Sequence, residues 1–393
     1  MNRPTLEVAD IIRAAGNRFV ERNRDHLAWP QVKVLRAIRD CRTAALGGHL
    51  DRCARCGHQA ISYNSCRNRH CPKCQTSTRE QWLKKQVQDL LPVPYFHVVF
   101  TLPHNLSAVV LQNKKVLYDL LFRTSAETLL EIAADPNHFG AEIGFLSVLH
   151  TWGQNLQHHP HVHSVVPAGG LSPDHSRWIR SPPSFFLPVR VLSAVFRGKF
   201  SEGLKRLFAR KKLSFHGSLQ ALAQPKMFCA FVRQLWRKEW VVYAKRPFRG
   251  PEYVLQYLAR YTHRVAISNH RLLAFTDDQV TFRWKDYAHG NKKRKMTLSA
   301  DEFLRRFLLH VLPRGFTRIR HFGLLANRRR AEVMPLCRRL LAVAPLPSTE
   351  TSTLTVQVWM CPECAGPMML IEKLTARQIW LRSVGLASYA NSS

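Results

Sequence analysis

Three groups of residues in this chain carry donor atoms or nucleophiles at spacings that could do chemistry. The first is Gln157-His158-His159-Pro160-His161-Val162-His163, four histidines within six residues. In a strand, residues two apart project from one face, so His161 and His163 point together while Val162 turns into the opposite layer. Two imidazoles aimed at one point make a metal site with open positions. A third protein ligand would come from His159, two residues earlier on the same face, or from a polar residue of another element. Ligand softness alone favours zinc, copper or nickel over magnesium. Ser164-Val165-Val166 follow where a metallo-hydrolase of the His-x-His-x-Asp-His type would place carboxylates. The pattern therefore suits a cation held against a phosphate, with the nucleophile supplied from elsewhere.

That nucleophile has a candidate in the second group. Tyr253, Tyr257 and Tyr261 recur every four residues in a stretch that opens with Pro251 and Glu252, residues suited to a helix start. Four helical residues advance about 400°, so the three hydroxyls lie along one face. Three of the nine tyrosines fall in these nine residues, beside Arg260, His263 and Arg264, where a plain packing stripe would use Leu and Val. A phenol of pKa about 10 needs a nearby cation to act as nucleophile near neutral pH, and the arginines offer one.

The third group is the cysteines. Cys53-x-x-Cys56 and Cys71-x-x-Cys74 stand fourteen residues apart, the two-knuckle spacing of a zinc ribbon. Four thiolates close a tetrahedral site with no open position, which means structure rather than catalysis. Cys66 is an alternative ligand, and a second zinc on Cys41, His49 and Cys66 is an open arrangement. Cys361-Pro-Glu-Cys364 has no second knuckle in reach along the sequence; a degenerate ribbon and a site that borrows Cys337 or a partner chain are the open readings, and the pair stays unassigned.

The elements that must position these groups follow from composition. Residues 1–90 read as two helices and the zinc-binding, DNA-binding module. Residues 91–335 alternate strand-like and helical runs, with strands at Tyr95–Leu102, His161–Pro167 and Trp240–Ala244. A hairpin spans Arg271–Trp284 about an Asp277-Asp278 turn, and helices cover Lys114–Ala134 and Pro251–Thr262. Residues 336–393 are a Pro/Ser/Thr-rich linker and a short Cys-x-x-Cys tail. The whole reads as an α+β chain.

The 393 residues carry 59 Lys and Arg against 26 Asp and Glu, a formal net charge of +33. A folded chain this positive asks for a polyanion, and nucleic acid is the first candidate. Arg67 and Arg69 flank the knuckles, Arg260 and Arg264 the tyrosines, and Lys285, Lys292, Lys293, Arg318 and Arg320 lie in a stretch that interleaves cations with aromatics, as single-strand binders do. No apolar run approaches the ~20 residues of a membrane span, and Glu7 and Asp10 break any signal-peptide pattern, so a cytoplasmic protein without a membrane partner is expected. No phosphate-binding Gly-x-x-x-x-Gly-Lys-Ser/Thr loop is present.

Taken in order, Ser65-Cys-Arg-Asn-Arg-His-Cys-Pro-Lys-Cys-Gln75, Phe100-Thr-Leu-Pro103, His159-Pro-His-Val-His163, Tyr257-Leu-Ala-Arg-Tyr-Thr-His-Arg264 with Val265-Ala-Ile-Ser-Asn269, and Phe316-Thr-Arg-Ile-Arg-His-Phe-Gly-Leu-Leu-Ala-Asn327 resemble the transposases of the insertion sequence 91 family. The likeness runs from about residue 10 to 330. It implies a HUH endonuclease: an antiparallel sheet with flanking helices that carry the tyrosines, behind a helical and zinc-ribbon N-terminal domain. It further implies rolling-circle transposition, in which two tyrosines four apart nick and join single-stranded or hairpin element ends through 5′-phosphotyrosine intermediates. The matching pair is Tyr257 and Tyr261, with Tyr253 left for packing. The resemblance favours Mg or Mn at His161 and His163 and does not carry over a third ligand. Two alternatives stand beside it: a relaxase or replication initiator of the same chemistry, and a non-catalytic zinc-containing nucleic-acid-binding protein.

Overall fold

A computed structural model of the chain describes residues 4–75, 82, 90–182, 187–248, 266–286, 290, 292–342 and 359–390. The Pro251–Thr262 helix, and with it Tyr253, Tyr257, Tyr261, Arg260 and Arg264, falls outside the described residues.

The chain opens with helices α1 (Val8–Arg22) and α2 (Trp29–Arg39), followed by the hairpin β1 (Gly48–Cys53) and β2 (Gln59–Tyr63). In α1 the buried Val8, Ile11, Ile12, Ala15 and Phe19 recur at helical spacing and form one apolar face. The Asp10 carboxylate accepts from the Glu7 backbone N–H and closes the first turn.

Next come β3 (Tyr95–Thr101), α3 (Ser107–Gln112), α4 (Lys114–Ala134), β4 (Gly144–Trp152) and β5 (His158–Pro167). Two short strands, β6 (Gly169–Leu171) and β7 (Trp178–Arg180), lead to α5 (Val189–Ala209), α6 (Pro225–Trp236) and β8 (Val242–Phe248). After the tyrosine stretch follow β9 (Leu272–Thr276), β10 (Gln279–Asp286), β11 (Lys292–Ser299), α7 (Ala300–Leu309), β12 (Ile319–Gly323) and α8 (Asn327–Leu340). The tail adds β13 (Met368–Leu374) and α9 (Ala376–Ala390). Among the described residues no helix is long and apolar enough to cross a membrane.

The principal sheet has five antiparallel strands in the order β12-β4-β5-β3-β8, with the histidine strand β5 at its centre. Strand alternation divides it into two faces. Phe96, Val98, Phe100, Leu149, Val162 and Val166 point to one face and pack on Leu117, Leu121 and Phe122 of α4 and Phe196 and Phe200 of α5. Leu146, Val148 and Val165 point to the other, where Val333, Met334 and Cys337 of α8 cover them. This is the expected α+β architecture, with helices on both faces of an antiparallel sheet.

A second core lies beside the first. Residues of α1 and α2, with Cys41, Cys71 and Cys74, pack directly against Ala266, Ile267, Phe282, Phe303 and Phe307. The expected Asp277-Asp278 turn joins β9 to β10, both residues at positive φ (48° and 60°), as a two-residue turn of primed type requires. α7 is capped by Ser299, whose hydroxyl accepts from the Glu302 N–H. The N-terminal residues thus share one core with the β9–β11 sheet.

Candidate functional site

The register of β4 against β5 builds the centre of the site. His150 sits directly across from His161, and Val148 across from His163, so three imidazoles share one sheet face. Ring centroids are 5.4 Å apart for His150 and His161, 4.3 Å for His150 and His163, and 4.8 Å for His161 and His163. One ring nitrogen of each lies within 4.8 Å of the others, the spacing of a three-ligand metal site.

The third imidazole is therefore His150 rather than His159. His159 is on the expected face but at the exposed end of the strand, where its carbonyl oxygen accepts from His161 Nδ1–H at 2.6 Å. That bond fixes the His161 tautomer and leaves Nε2 as the lone-pair donor. Trp152 stacks on His150 at 4.6 Å, and His97 Nε2 shares a 2.8 Å hydrogen bond with His163 Nδ1.

Desolvation holds His161 and His163 neutral. Burial first, then the neighbouring imidazoles, pushes His163 well below the usual histidine value and His161 down to about 3. Their lone pairs are thus available at physiological pH.

The loop between the two strands is clamped from the second core. Arg306 Nη1 donates to Asn155 O at 3.0 Å, His310 Nε2–H to Leu156 O at 3.0 Å, and Arg271 to Gln154 O. A one-residue slip would turn His161 and His163 to the wrong face, so this clamp guards the site as well as the fold.

The cysteines assemble differently from the single ribbon on Cys53, Cys56, Cys71 and Cys74. Cys71 and Cys74 join Cys41 and Cys66, with Cys74 Sγ 3.5 Å from both Cys41 Sγ and Cys66 Sγ. Cys53 and Cys56 join Cys361 and Cys364 instead. The reason is β2, whose five residues carry the chain roughly 17 Å away from the Cys53 turn before Cys66 is reached. Cys41 joins the first cluster without His49, as a fourth sulfur rather than a second zinc. Lys73 pairs with Glu7 at 2.5 Å and ties this knuckle to the start of α1.

Comparison with known proteins bears on both centres. Residues 11–102 match a family model described as "Transposase zinc-binding domain", specific to insertion sequence 91, and residues 144–332 match one described as "Putative transposase". The chain is 53% identical over 384 residues to "Putative transposase y4qJ" of Sinorhizobium fredii, covering 95% of this chain and 96% of that protein. It is 28% identical over 382 residues to "Transposase for insertion sequence element IS801" of Pseudomonas savastanoi pv. phaseolicola, covering 91% of this chain and 88% of that one. The chain belongs to the insertion sequence 91 family of transposases. No solved structure matches it.

The transposase acts on DNA, and the match of its N-terminal segment to a zinc-binding domain supports structural zinc there. The cations expected to meet DNA divide into two sets. Arg69 is committed inside the fold, its guanidinium donating to Phe316 O and Pro313 O at 2.6 Å each. Arg320 pairs with Asp119 and lies over Phe122 at 4.3 Å. Arg318 lines a small cavity with His70, Trp152 and His310, and burial lowers its pKa to about 10. Of these three, which the sequence suggests as DNA contacts, Arg69 ties the zinc-knuckle segment to the Pro313–Phe316 turn and Arg320 ties β12 to α4.

Arg67, Lys285, Lys292 and Lys293 are exposed. The β10–β11 register adds a pattern that sequence reasoning missed. Arg283 stands opposite Lys295, and Lys285 opposite Lys293, all four on the outer face, whereas Lys292 lies opposite the buried Asp286. Like charges directly opposite each other destabilise a ribbon unless an anion lies across them.

The buried histidines also set a pH dependence. His158 and His310 are held neutral, both lowered to about 3 by burial first. Between the ordinary histidine value of 6.5 and about 3 the unfolded chain binds more protons than the folded one, so stability falls as pH drops through that window. The urea midpoint of the transposase is expected to fall steadily from about pH 6.5 to about 4. His310→Gln, which keeps a donor for Leu156 O but cannot titrate, should flatten the slope; an unchanged slope would remove His310 from the account.

Proposed function

We propose that this transposase nicks and rejoins single-stranded DNA at the ends of its element through 5′-phosphotyrosine intermediates, as the HUH endonuclease of a rolling-circle transposition cycle. The observation that carries the reading is the convergence of His150, His161 and His163 on two neighbouring antiparallel strands.

Three imidazoles with open positions, His161 and His163 held neutral by burial, fit a divalent cation. The donor set is all nitrogen, which departs from the oxygen ligands that Mg2+ demands, so of Mg and Mn the second is the better match. Bound there, the cation would supply Lewis-acid stabilisation of charge on the scissile phosphate.

The chain's own residues do the rest. β8, which leads into the tyrosine stretch, pairs with β3 beside the histidine strand. On the far side, Ala266 lines the same cavity as Trp152, the residue that stacks on His150. Ala266 is five positions after Tyr261, a reach of at most about 18 Å. The phenol oxygen of one tyrosine forms a bond to phosphorus, the bond from phosphorus to the 3′ oxygen breaks, and the phenol proton ends on the freed 3′-hydroxyl. The second tyrosine can then cleave again without releasing the first strand.

The outer face of the β10–β11 ribbon would hold the DNA backbone. Lys293→Ala/Lys295→Ala is expected to weaken single-strand binding and to lower the slope of log K against log salt by about 1.4, roughly 0.7 for each phosphate no longer neutralised. An unchanged slope would move the DNA to another face.

The test of the chemistry is incubation with labelled single-stranded oligonucleotides bearing element ends, in Mn2+, followed by a denaturing gel. A denaturant-resistant protein–DNA adduct is the expected result. Its absence on every end sequence would leave a zinc-containing DNA-binding protein without strand-transfer chemistry.

A further inference from the structure

The matched zinc-binding segment ends at residue 102, yet the sulfur cluster at Cys53 and Cys56 is completed by two cysteines from the far end of the chain. Cys53 Sγ lies 3.4 Å from Cys364 Sγ, and Cys56 Sγ lies 3.6 Å from Cys361 Sγ. A disulfide would bring two sulfurs to about 2.05 Å. A tetrahedral zinc with bonds of about 2.3 Å spaces its sulfurs about 3.8 Å apart, close to what is seen. The Cys41, Cys66, Cys71 and Cys74 cluster shows the same spacing.

The two half-sites are built alike. Each pair begins a tight turn whose fifth residue donates its N–H back to the first cysteine: Gly57 to Cys53 O at 3.1 Å and Ala365 to Cys361 O at 2.9 Å. Both fifth residues are left-handed, Gly57 at φ 74° and Ala365 at φ 54°. For alanine that conformation is strained and must be held by its surroundings.

Each turn also closes a hairpin, through Cys53 N–H to His58 O and Cys361 N–H to Gly366 O, both 2.8 Å. Gly366 permits the approach, since a Cβ there would lie 3.1 Å from Cys53 Sγ and 3.2 Å from Cys364 Sγ. Two backbone N–H groups, of Arg55 and Cys56, point at Cys53 Sγ and favour a thiolate.

What holds the tail without a metal is small. The core at this junction contains Cys53, Cys361 and Met368 as its buried side chains. Met369, Leu370 and Ile371 of β13 are exposed. The remaining attachment is the β1–β13 ladder together with the buried Leu374 of β13 and Ile379 of α9, and a small sheet with so little buried apolar surface is marginal in water.

We propose that Cys53, Cys56, Cys361 and Cys364 form a second structural zinc site, a ribbon split between the two ends of the chain, and that it makes docking of the C-terminal tail on β1 metal-dependent. The proposal does not rest on the strand-transfer reading, because zinc content is measured whether or not the protein cleaves DNA.

The full-length chain is tested in a His161→Ala/His163→Ala background, so that the imidazole cluster adds no metal. Two zinc ions per chain are expected, falling to one in Cys361→Ser/Cys364→Ser. One zinc in the parent, or two in the tail variant, overturns the proposal. A second measurement avoids dependence on that variant's folding. Mild chelation of the parent, followed by hydrogen exchange, is expected to unprotect β13 while α4 and β5 stay protected. β13 amides that remain protected after both zinc ions are removed would equally overturn it.

Discussion

A Tyr257→Phe/Tyr261→Phe variant is expected to form no denaturant-resistant adduct on element-end oligonucleotides, while Tyr253→Phe forms it as the parent does. Removing the attacking oxygen leaves no covalent route, so the loss should be at least about 10^4-fold, the scale seen when a covalent nucleophile is deleted. The fold should be untouched, because phenylalanine keeps the ring and loses only the hydroxyl. The single variants separate the two roles. Each retains one nucleophile and should still form an adduct on some substrate, but neither should complete a second cleavage while the first strand stays attached. Mass spectrometry of a digested adduct would name the modified tyrosine. An adduct that survives the double change, or disappears in Tyr253→Phe, would overturn the assignment of the pair.

The parts of this molecule that are periodic are legible in its sequence, and the parts that depend on pairing are not. The Lys114–Ala134 helix has the bounds expected of it, and the Asp277-Asp278 turn sits where two acidic residues between apolar runs place it. His161 and His163 can be put on one face by alternation alone. His150 cannot, because its place beside His161 is a fact of the β4–β5 register, and Phe145-Leu-Ser-Val-Leu-His-Thr-Trp152 is not among the strands that the sequence predicts. That run of aromatic and aliphatic residues is the available signal.

The cysteines show the same limit. Sequence spacing joins the two nearest pairs, whereas the fold joins Cys56 to Cys361 across 305 positions. Charge misleads for a different reason. Arg69 and Arg320 look like surface cations in the sequence, but carbonyl oxygens, a carboxylate and aromatic faces claim them inside the fold.

His150→Ala is expected to abolish cleavage at Mn2+ concentrations that saturate the parent, and His159→Ala to leave it within a few-fold of the parent. The two residues flank the same pair of ligands, so the contrast tests the geometry rather than the general need for histidine. His150 contributes a ring nitrogen within 4.8 Å of those of His161 and His163, whereas His159 serves through its backbone carbonyl, which alanine retains. Changing a residue that merely orients a metal ligand typically costs about 10- to 100-fold in affinity, so loss of a ligand from a set of three should exceed about 100-fold in the Kd for Mn2+. Cleavage measured across a Mn2+ titration gives that Kd. Zinc held by the cysteine clusters should be unchanged in the same variant, because those clusters are separate from the imidazoles. Excess Mn2+ should restore part of the rate in His150→Ala, as His161 and His163 still converge. Should His159→Ala prove the inactive variant and His150→Ala the active one, the third ligand would belong to β5 itself, and the β4–β5 register would have lost its part in the chemistry.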